Sequence, residues 1–300
     1  MIDLKKIGTE QRNPRTMNID TVSTLEICKM INEEDKTVPY AVEKALPQIA
    51  ALVDAIAEVI DNDGRLIYMG AGTSGRIGIL DAAECPPTFS VSYETVQCLI
   101  AGGSTAFIKA VEGAEDSREF AVNDLKNINL TKADIVVGIT ASGRTPYAVA
   151  GVEYAKSIGC KTGCITTSPN SEIASKVDYP IEAITGSEPI TGSTRMKSGT
   201  AQKLICNMLS TASMIKLGKV YGNLMIDFQL TNEKLIKRGQ NMVSEATGVS
   251  FEEAQKYIDK FGTVKKSIFA ILSGIENKEE VERILNEHKG HLRNALKAVK

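Results

Sequence analysis

Three hydroxyl side chains flank a glycine in one short segment, Thr140-Ala141-Ser142-Gly143-Arg144-Thr145-Pro146. An apolar run at 135–139 precedes this segment and a helical pattern at 147–158 follows it, which indicates a strand, a loop and a helix. At the start of a helix the backbone N–H groups point outward and the dipole favours negative charge, which suits a phosphate monoester. The alternative is that the hydroxyls only cap the helix. The residues predicted to bind the phosphorylated ligand are Thr140, Ser142, Gly143 and Thr145.

A second glycine-rich loop, Gly70-Ala71-Gly72-Thr73-Ser74-Gly75, also follows an apolar run and opens a helix. It matches the GxGxxG pattern of dinucleotide-binding proteins, which also place an acid at the end of the second strand to bind the ribose. Here the second strand, 96–101, ends in glycines, and Glu94 precedes it. The nicotinamide interpretation therefore lacks the acidic residue that would bind the ribose. Since ligands of open α/β sheets bind where such loops meet, Thr73 and Ser74 are predicted to contact the same phosphorylated ligand.

These loops resemble those of a known family. GAGTSGR (70–76) and TASGRTP (140–146) are similar to the sugar isomerase (SIS) domain, a phosphosugar-binding α/β fold. Longer strings resemble the N-acetylmuramic acid 6-phosphate etherases: TEQRNPRTMNID (9–20), INEED (31–35), ILDAAECPPTF (79–89), VEGAEDS (111–117) and GSTRMKSGTAQK (192–203). The resemblance implies a homodimer that acts in recycling of the amino sugars of peptidoglycan. It implies cleavage of the D-lactyl ether of N-acetylmuramic acid 6-phosphate to N-acetylglucosamine 6-phosphate and D-lactate.

Cleavage of such an ether requires two proton carriers. Ring opening creates an aldehyde at C1, which acidifies the C2 hydrogen, and the ether oxygen on C3 lies β to that carbonyl. Elimination therefore needs a base at C2 and an acid at the C3 oxygen, and the addition of water to the double bond completes the hydrolysis. The reaction requires no metal, no nicotinamide and no covalent intermediate, so no cofactor is predicted.

The resemblance places these two roles on Glu84 and Glu115. Pro86 and Pro87 are expected to end the preceding helix, which would leave Glu84 at its carboxyl end, where the dipole disfavours a negative charge. Glu84 is therefore the predicted general acid. Gly113 breaks the stretch just before Glu115, so Glu115 is expected to open a new helical turn. The dipole there favours a negative charge, and Glu115 is therefore the predicted ionised base. For any single glutamate, the alternative is a solvated helix surface.

Further polar residues crowd the segment before a long helix predicted at 199–217. Arg195 or Lys197 is predicted to meet the lactyl carboxylate, since guanidinium and ammonium groups pair with carboxylates. Glu188 is predicted to bind sugar hydroxyls. The structural alternative, helix capping with exposed basic residues, is equally open. The predicted ligand-binding residues of this segment are Glu188, Ser193, Arg195 and Lys197.

The elements that must position these residues alternate, from residue 64 onward, between short apolar runs and helical stretches. Such alternation predicts an α/β fold: a three-layer, flavodoxin-like parallel sheet of the SIS type with helices on both faces. Capping boxes at Ser23/Glu26 and at Ser250/Glu253 predict further helices before and after the sheet. The predicted organisation is an N-terminal helical arm (1–47), a phosphosugar-binding α/β domain (48–230) and a small C-terminal helical domain (231–300).

Composition restricts the other classes of function. The 35 basic and 37 acidic residues give a net charge of −2, which disfavours a nucleic-acid-binding protein. The N-terminal residues do not form a secretory segment, and the apolar stretches fall short of the about 18 residues of a membrane span, so a cytoplasmic protein is expected. No CxxC pair occurs and the two histidines, His288 and His291, lie near the C-terminus. Carboxylates are therefore the expected proton carriers, and no metal site is predicted.

Two other functions fit the same loops. One is a non-catalytic regulator that senses a phosphosugar, and the other is an aldose–ketose isomerase, which also removes a C2 proton. A regulator has no need for acids at both 84 and 115, so the joint presence of Glu84 and Glu115 favours the enzyme.

Overall fold

The computed structural model describes residues 10–299. These residues form two compact units, one of residues 10–83 and 94–210 and the other of residues 84–93 and 211–299. The first nine residues of the predicted arm, including Thr9 of the TEQRNPRTMNID string, lie outside the described residues, as does Lys300. The predicted domain boundaries at residues 47 and 230 stay predictions. Within residues 10–299, the structure contains no helix of the length and apolarity that a membrane span requires.

A five-stranded parallel sheet forms the centre of the first unit. Its strands are β1 (Leu66–Gly70), β2 (Val96–Ile100), β3 (Ile135–Ile139), β4 (Lys161–Thr166) and β5 (Tyr179–Glu182). They lie in the order β2-β1-β3-β4-β5, and every neighbouring pair is parallel. The direction of winding reverses between the adjacent strands β1 and β3, which is where ligands bind in folds of this order. The predicted flavodoxin-like sheet is confirmed.

Helices surround this sheet. They are α1 (Thr24–Asp35), α2 (Val38–Glu43), α3 (Leu46–Asp61), α4 (Gly72–Phe89), α5 (Thr105–Ile108), α6 (Arg118–Asn127), α7 (Pro146–Ser157) and α8 (Lys197–Lys216). Short 3₁₀ turns occupy Pro14–Thr16, Ala114–Asp116 and Ile173–Ser175. The last residues of α4 and of α8 belong to the second unit.

Close contacts at two glycines assign helices to the two faces of the sheet. A Cβ atom at Gly151 of α7 would lie 2.4 Å from the sulfur of Met69 in β1. A Cβ atom at Gly163 of β4 would lie 3.0 Å from Leu52 of α3. Because alternate strand residues point to opposite faces, and because all five residues of β1 and of β3 are buried, the sheet is covered on both sides. Strands buried in this way are near-continuous apolar runs.

Helix α4 differs from the prediction at its end. Pro86 and Pro87 lie inside the helix, which continues to Phe89, so the prediction that they end it is wrong. A proline keeps a helical φ, although it removes its own N–H and crowds the carbonyl four residues earlier. The helix continues past both prolines, and the Ser90 N–H donates to the Pro86 carbonyl at 3.0 Å. Glu84 therefore lies one turn further from the helix end than expected.

The second unit is mainly helical. Its helices are α9 (Glu233–Thr247), α10 (Phe251–Phe261), α11 (Val264–Ser273), α12 (Lys278–Glu287) and α13 (Leu292–Ala298), and the predicted C-terminal helical region is confirmed. The expected cap of α10 forms, since Ser250 Oγ accepts the Glu253 N–H at 3.2 Å. A hairpin of β6 (Val220–Tyr221) and β7 (Leu224–Met225) is also present. It was not predicted because two-residue strands are too short to produce an alternating pattern.

Candidate active site

The loops that follow β1 and β3 line one cavity of about 440 Å³, here called the main cavity. These two strands end side by side, with Gly70 opposite Ile139, so the loops meet at the point where the sheet reverses direction. The lining residues are Glu10, Ala71, Gly72, Thr73, Ser74, Glu115, Asp116, Thr140, Ala141, Ser142, Arg144, Thr145, Pro146, Gly192 and Thr194. The structure therefore brings Glu115 together with the predicted hydroxyl residues of both loops.

The β3 loop presents its hydroxyls at the start of the 12-residue helix α7. Thr145 precedes the helix but makes no capping bond with its side chain; its Oγ1 lies 2.8 Å from Thr140 Oγ1 instead. Gly143 turns the loop with a φ of +70°, and a Cβ atom there would lie 2.2 Å from the Ser171 Cβ. Only glycine fits that position. This geometry favours an anion-binding loop over simple helix capping.

The β1 loop is anchored from α8. Ser74 is buried and its Oγ donates to the Gln202 Oε1 at 3.0 Å. The Gln202 Nε2 is buried and has no hydrogen-bond partner among the described residues. Sequence reasoning did not single out Gln202, although it lies in the GSTRMKSGTAQK string. Its role is to fix the hydroxyl of Ser74 at the cavity wall.

Glu115 lies in the 3₁₀ turn Ala114–Asp116, which begins after Gly113 at a φ of +72°. The expected new turn is therefore present, although it is a single turn. The Glu115 side chain is exposed and lines a second cavity of about 330 Å³, here called the side cavity. The main and side cavities share Ala71, Gly72 and Glu115. The Glu115 carboxylate therefore lies between the main cavity and the side cavity.

Glu84 lies on α4 and its side chain is exposed. It belongs to residues 84–93 of the second compact unit, whereas Glu115 belongs to the first. The pairing of Glu84 with Glu115 on one substrate stays a prediction.

Glu188 caps a helix, and its predicted contact with sugar hydroxyls stays a prediction. It is fully buried, and its carboxylate accepts the backbone N–H groups of Lys197 and Ser198 at 2.8 and 2.9 Å. These are the first two residues of α8, so Glu188 caps that helix from nine residues upstream. A carboxylate that accepts the free N–H groups of a helix start stabilises it. Glu188 is not among the residues that line the main cavity.

The Lys197 side chain is also buried and bonded within the protein. Its side chain is 2 % exposed, and its Nζ donates to the Glu34 Oε2 at 2.9 Å and to the Ser187 carbonyl at 3.1 Å. The Lys197 ammonium is engaged in this buried ion pair, and its predicted contact with a lactyl carboxylate stays a prediction. Arg195 is exposed, and neither Arg195 nor Ser193 lines the main cavity. From this segment Gly192 and Thr194 reach the cavity.

Glu34 is the centre of this buried pair. Its carboxylate accepts hydrogen bonds from the Arg15 guanidinium as well as from Lys197. The Arg15 hydrogen bond, and then the Lys197 ammonium, lower the pKa of Glu34 from 4.5 to about 2. A carboxyl with a lowered pKa stabilises the fold fully above its ordinary pKa and loses that contribution as the pH falls toward the native value. The stability supplied by Glu34 is therefore lost between about pH 4.5 and about pH 2.

The same pair joins the N-terminal segment to the loop before α8. Thr16 Oγ1 donates to the Pro189 carbonyl at 2.8 Å, and Asn13 Nδ2 donates to the Ser187 carbonyl at 3.4 Å. Both connected segments contribute to the main cavity, through Glu10 on one side and Thr194 on the other. The ion pair thus positions part of the cavity wall.

Replacing Lys197 with methionine is expected to lower the free energy of unfolding by about 3 kcal/mol, because it removes the buried cation that pairs with the buried Glu34. Urea titration at pH 7 measures the change. Lys29→Met removes an exposed pair with Glu26 and is the matched control, with an expected loss of about 0–1 kcal/mol. Equal stability of the two variants would contradict a structural role for the buried pair.

Comparison with known proteins supports the fold. Two family models match: the glucokinase regulatory protein N-terminal SIS domain over residues 48–156 and the SIS domain over residues 117–212. A phosphoheptose isomerase from Francisella tularensis has the same fold, with a TM-score of 0.51 and 19% identity over 65% of this chain and 100% of that one.

Relatives that match the whole chain are much closer in sequence. The N-acetylmuramic acid 6-phosphate etherase of Clostridium beijerinckii is 54% identical over 299 residues, which cover 99% of this chain and 98% of the relative. The Escherichia coli protein of the same name is 54% identical over 296 residues, which cover 98% and 99%. With this identity over nearly the full length of both relatives, the chain belongs to the N-acetylmuramic acid 6-phosphate etherase family.

Proposed function

We propose that this chain cleaves the D-lactyl ether of N-acetylmuramic acid 6-phosphate to give N-acetylglucosamine 6-phosphate and D-lactate. The observation that carries the proposal is the main cavity, where a carboxylate, Glu115, faces two hydroxyl-rich loops at the switch point of the sheet. Membership of the etherase family supplies the identity of the sugar. The reaction is a carbon–oxygen bond cleavage by elimination, followed by addition of water.

In this proposal the β3 loop holds the phosphate on C6. Thr140, Ser142 and Thr145 supply hydroxyl donors, and Gly143 lets the backbone approach the phosphate oxygens. Thr73 and Ser74 face the same space from the β1 loop. Anchoring the phosphate fixes the position of the sugar relative to the protein, so that C2 and C3 lie beside Glu115.

Glu115 removes the proton from C2 of the open-chain sugar, and Glu84 protonates the C3 oxygen as the bond to it breaks. The electron pair of the C2–H bond forms the C2–C3 double bond, and D-lactate leaves with the proton from Glu84. Water then adds at C3 and a proton returns to C2. The exposed position of Glu115 at two cavities supports its access to a bound sugar.

A homodimer in the cytoplasm is part of the proposal. The proposed interface includes the surface of α4, where Leu80 is 54 % exposed and lies one turn before the exposed Glu84. A sugar phosphate carries a charge that holds it inside the cell, which supports a cytoplasmic enzyme. Analytical ultracentrifugation of the purified protein tests the dimer.

Incubating the purified protein with N-acetylmuramic acid 6-phosphate and assaying free D-lactate tests the activity. Release of D-lactate with formation of N-acetylglucosamine 6-phosphate supports the etherase. Binding without turnover would favour a phosphosugar-sensing regulator, and a ketose product with the ether intact would favour an isomerase.

Replacing Ser142 with alanine is expected to raise KM by about 10-fold or more and to leave kcat nearly unchanged, because a hydrogen bond to a charged phosphate is lost equally in the ground and transition states. Initial-rate kinetics of D-lactate release measure both constants. Ser157→Ala, at the far end of α7, is the control and should keep both. An unchanged KM in Ser142→Ala would mean that this loop does not hold the phosphate.

A further inference from the structure

The side cavity extends the ligand space beyond Glu115. It shares Glu115, Ala71 and Gly72 with the main cavity, and its own walls are small and mostly apolar. The residues that supply these apolar walls are Ala101, Ala106, Ala110 and Val111. Among residues 10–299, the charged residues that line it are one cation, Arg76, and two acids, Glu112 and the shared Glu115. Arg76 is therefore the positive group of this cavity, whose lining it shares with apolar residues, with Glu112 and with the proposed base.

Arg76 is half-buried and held in one orientation. Its Nε donates to the Phe107 carbonyl and its Nη2 donates to the Ala106 carbonyl, both at 2.8 Å. These two bonds occupy one edge of the planar guanidinium. Among residues 10–299, no acceptor contacts Nη1, so N–H groups on the edge formed by Nη1 and Nη2 remain for a ligand. Two parallel N–H groups on one edge match the two oxygens of a carboxylate.

The proposed reaction places the lactyl group beside this cation. The phosphate on C6 occupies the β3 loop, and Glu115 contacts C2, so the sugar chain runs from the main cavity to the wall that the two cavities share. The lactyl ether is attached to C3, the carbon next to C2. A substituent at C3 therefore lies beside Glu115, where the side cavity opens.

We propose that the side cavity is the lactyl subsite, with Arg76 binding the lactyl carboxylate and the alanine and valine walls contacting the lactyl methyl group. This assignment rests on the proposed function and adds a specificity-determining residue to it. Arg144 is the basic residue that lines the main cavity, but it lies within the β3 loop, beside the phosphate. The acetamido group on C2 is uncharged, so a guanidinium binds it less strongly than it binds a carboxylate.

The test compares ligands with and without the lactyl carboxylate. Binding is measured by calorimetry with three ligands: N-acetylmuramic acid 6-phosphate, its lactyl carboxamide, and N-acetylglucosamine 6-phosphate. The protein carries Glu115→Gln, so that the substrate stays intact, with or without Arg76→Gln. We expect Arg76→Gln to weaken binding of the carboxylate ligand by about 10- to 100-fold, as for a hydrogen-bonded charge. Binding of the carboxamide and of N-acetylglucosamine 6-phosphate should change little.

Two further variants keep the result interpretable. Arg76→Lys retains the charge without the two-pronged geometry and should recover part of the lost affinity. Equal weakening of all three ligands by Arg76→Gln would overturn the proposal, since Arg76 would then act by holding the 106–107 segment. If Arg144→Gln, and not Arg76→Gln, abolished the preference for the carboxylate ligand over the carboxamide, the lactyl subsite would lie in the main cavity. Absence of D-lactate release by the unaltered protein would overturn the proposed function, while the binding comparison would still decide the role of Arg76.

Discussion

Replacing Glu115 with glutamine is expected to lower kcat/KM for D-lactate release by about 10²- to 10⁴-fold, because the amide cannot accept the proton from C2. The same variant should stop exchange of the C2 hydrogen when N-acetylglucosamine 6-phosphate is incubated in deuterated water. NMR follows the exchange, and a lactate assay follows the cleavage. Glutamine keeps the size of the side chain, and the exposed position of Glu115 means that stability should change little.

Glu119→Gln is the matched control, since Glu119 is also exposed and lies in the first turn of α6. It should retain both lactate release and C2 exchange. If Glu115→Gln retained C2 exchange at the rate of the unaltered protein, another group would have to be the base, and the proposed role of Glu115 would be wrong.

Replacing Glu84 with glutamine is expected to lower the rate of D-lactate release by about 10²- to 10⁴-fold, while exchange of the C2 hydrogen of the intact substrate continues. The base can still remove the C2 proton and return it, but the C3 oxygen leaves poorly when it is not protonated. Deuterium incorporation into N-acetylmuramic acid 6-phosphate, measured by mass spectrometry, separates the two steps. Loss of exchange together with cleavage would contradict the division of roles between Glu84 and Glu115.

Mixing the two variants determines which subunit supplies Glu84. If Glu84 acts on the substrate held by the partner, a hybrid dimer of Glu84→Gln and Glu115→Gln subunits contains one site with both glutamates, and activity returns. If both glutamates act within one subunit, each site of the hybrid lacks one of them and activity stays low. Either result fixes how the exposed residue on α4 reaches the sugar.

The positions of the two glycine-rich loops could be predicted from the sequence because the signals for them are local. A glycine, neighbouring hydroxyls and a following helix lie within seven residues in the segment 140–146, and the apolar run before it identifies the strand. The alternation of strands and helices then places both loops at the same edge of the sheet. The structure adds that Thr145 pairs with Thr140 and does not cap α7.

The roles of Lys197 and Glu188 could not be predicted in the same way. Lys197 lies in a polar segment, and a basic residue there looks available for an anionic ligand. Its partner, Glu34, lies 163 residues earlier in the chain, and a contact between residues so far apart leaves no pattern in the local sequence. Glu188 likewise resembles a free acid, because its capping contact depends on how the loop before α8 folds back.

The end of α4 could not be predicted because two adjacent prolines normally mark a helix end. Their effect depends on whether the N–H groups of the residues after them donate to helix carbonyls. The hydrogen bond from the Ser90 N–H to the Pro86 carbonyl is visible only in the structure. The same limit applies to Arg76, whose role depends on the carbonyls of Ala106 and Phe107 in another segment.

The attachment of the N-terminal segment to the loop before α8 has a consequence for biosynthesis. The main cavity takes Glu10 from the beginning of the chain and Thr194 from a point nearly two-thirds along it. During translation the early residues emerge long before Lys197 exists to pair with Glu34. A nascent chain that has already completed the five strands, the last of which ends at Glu182, still lacks its finished pocket. Ligand affinity should therefore arise late in synthesis, after the scaffold has formed.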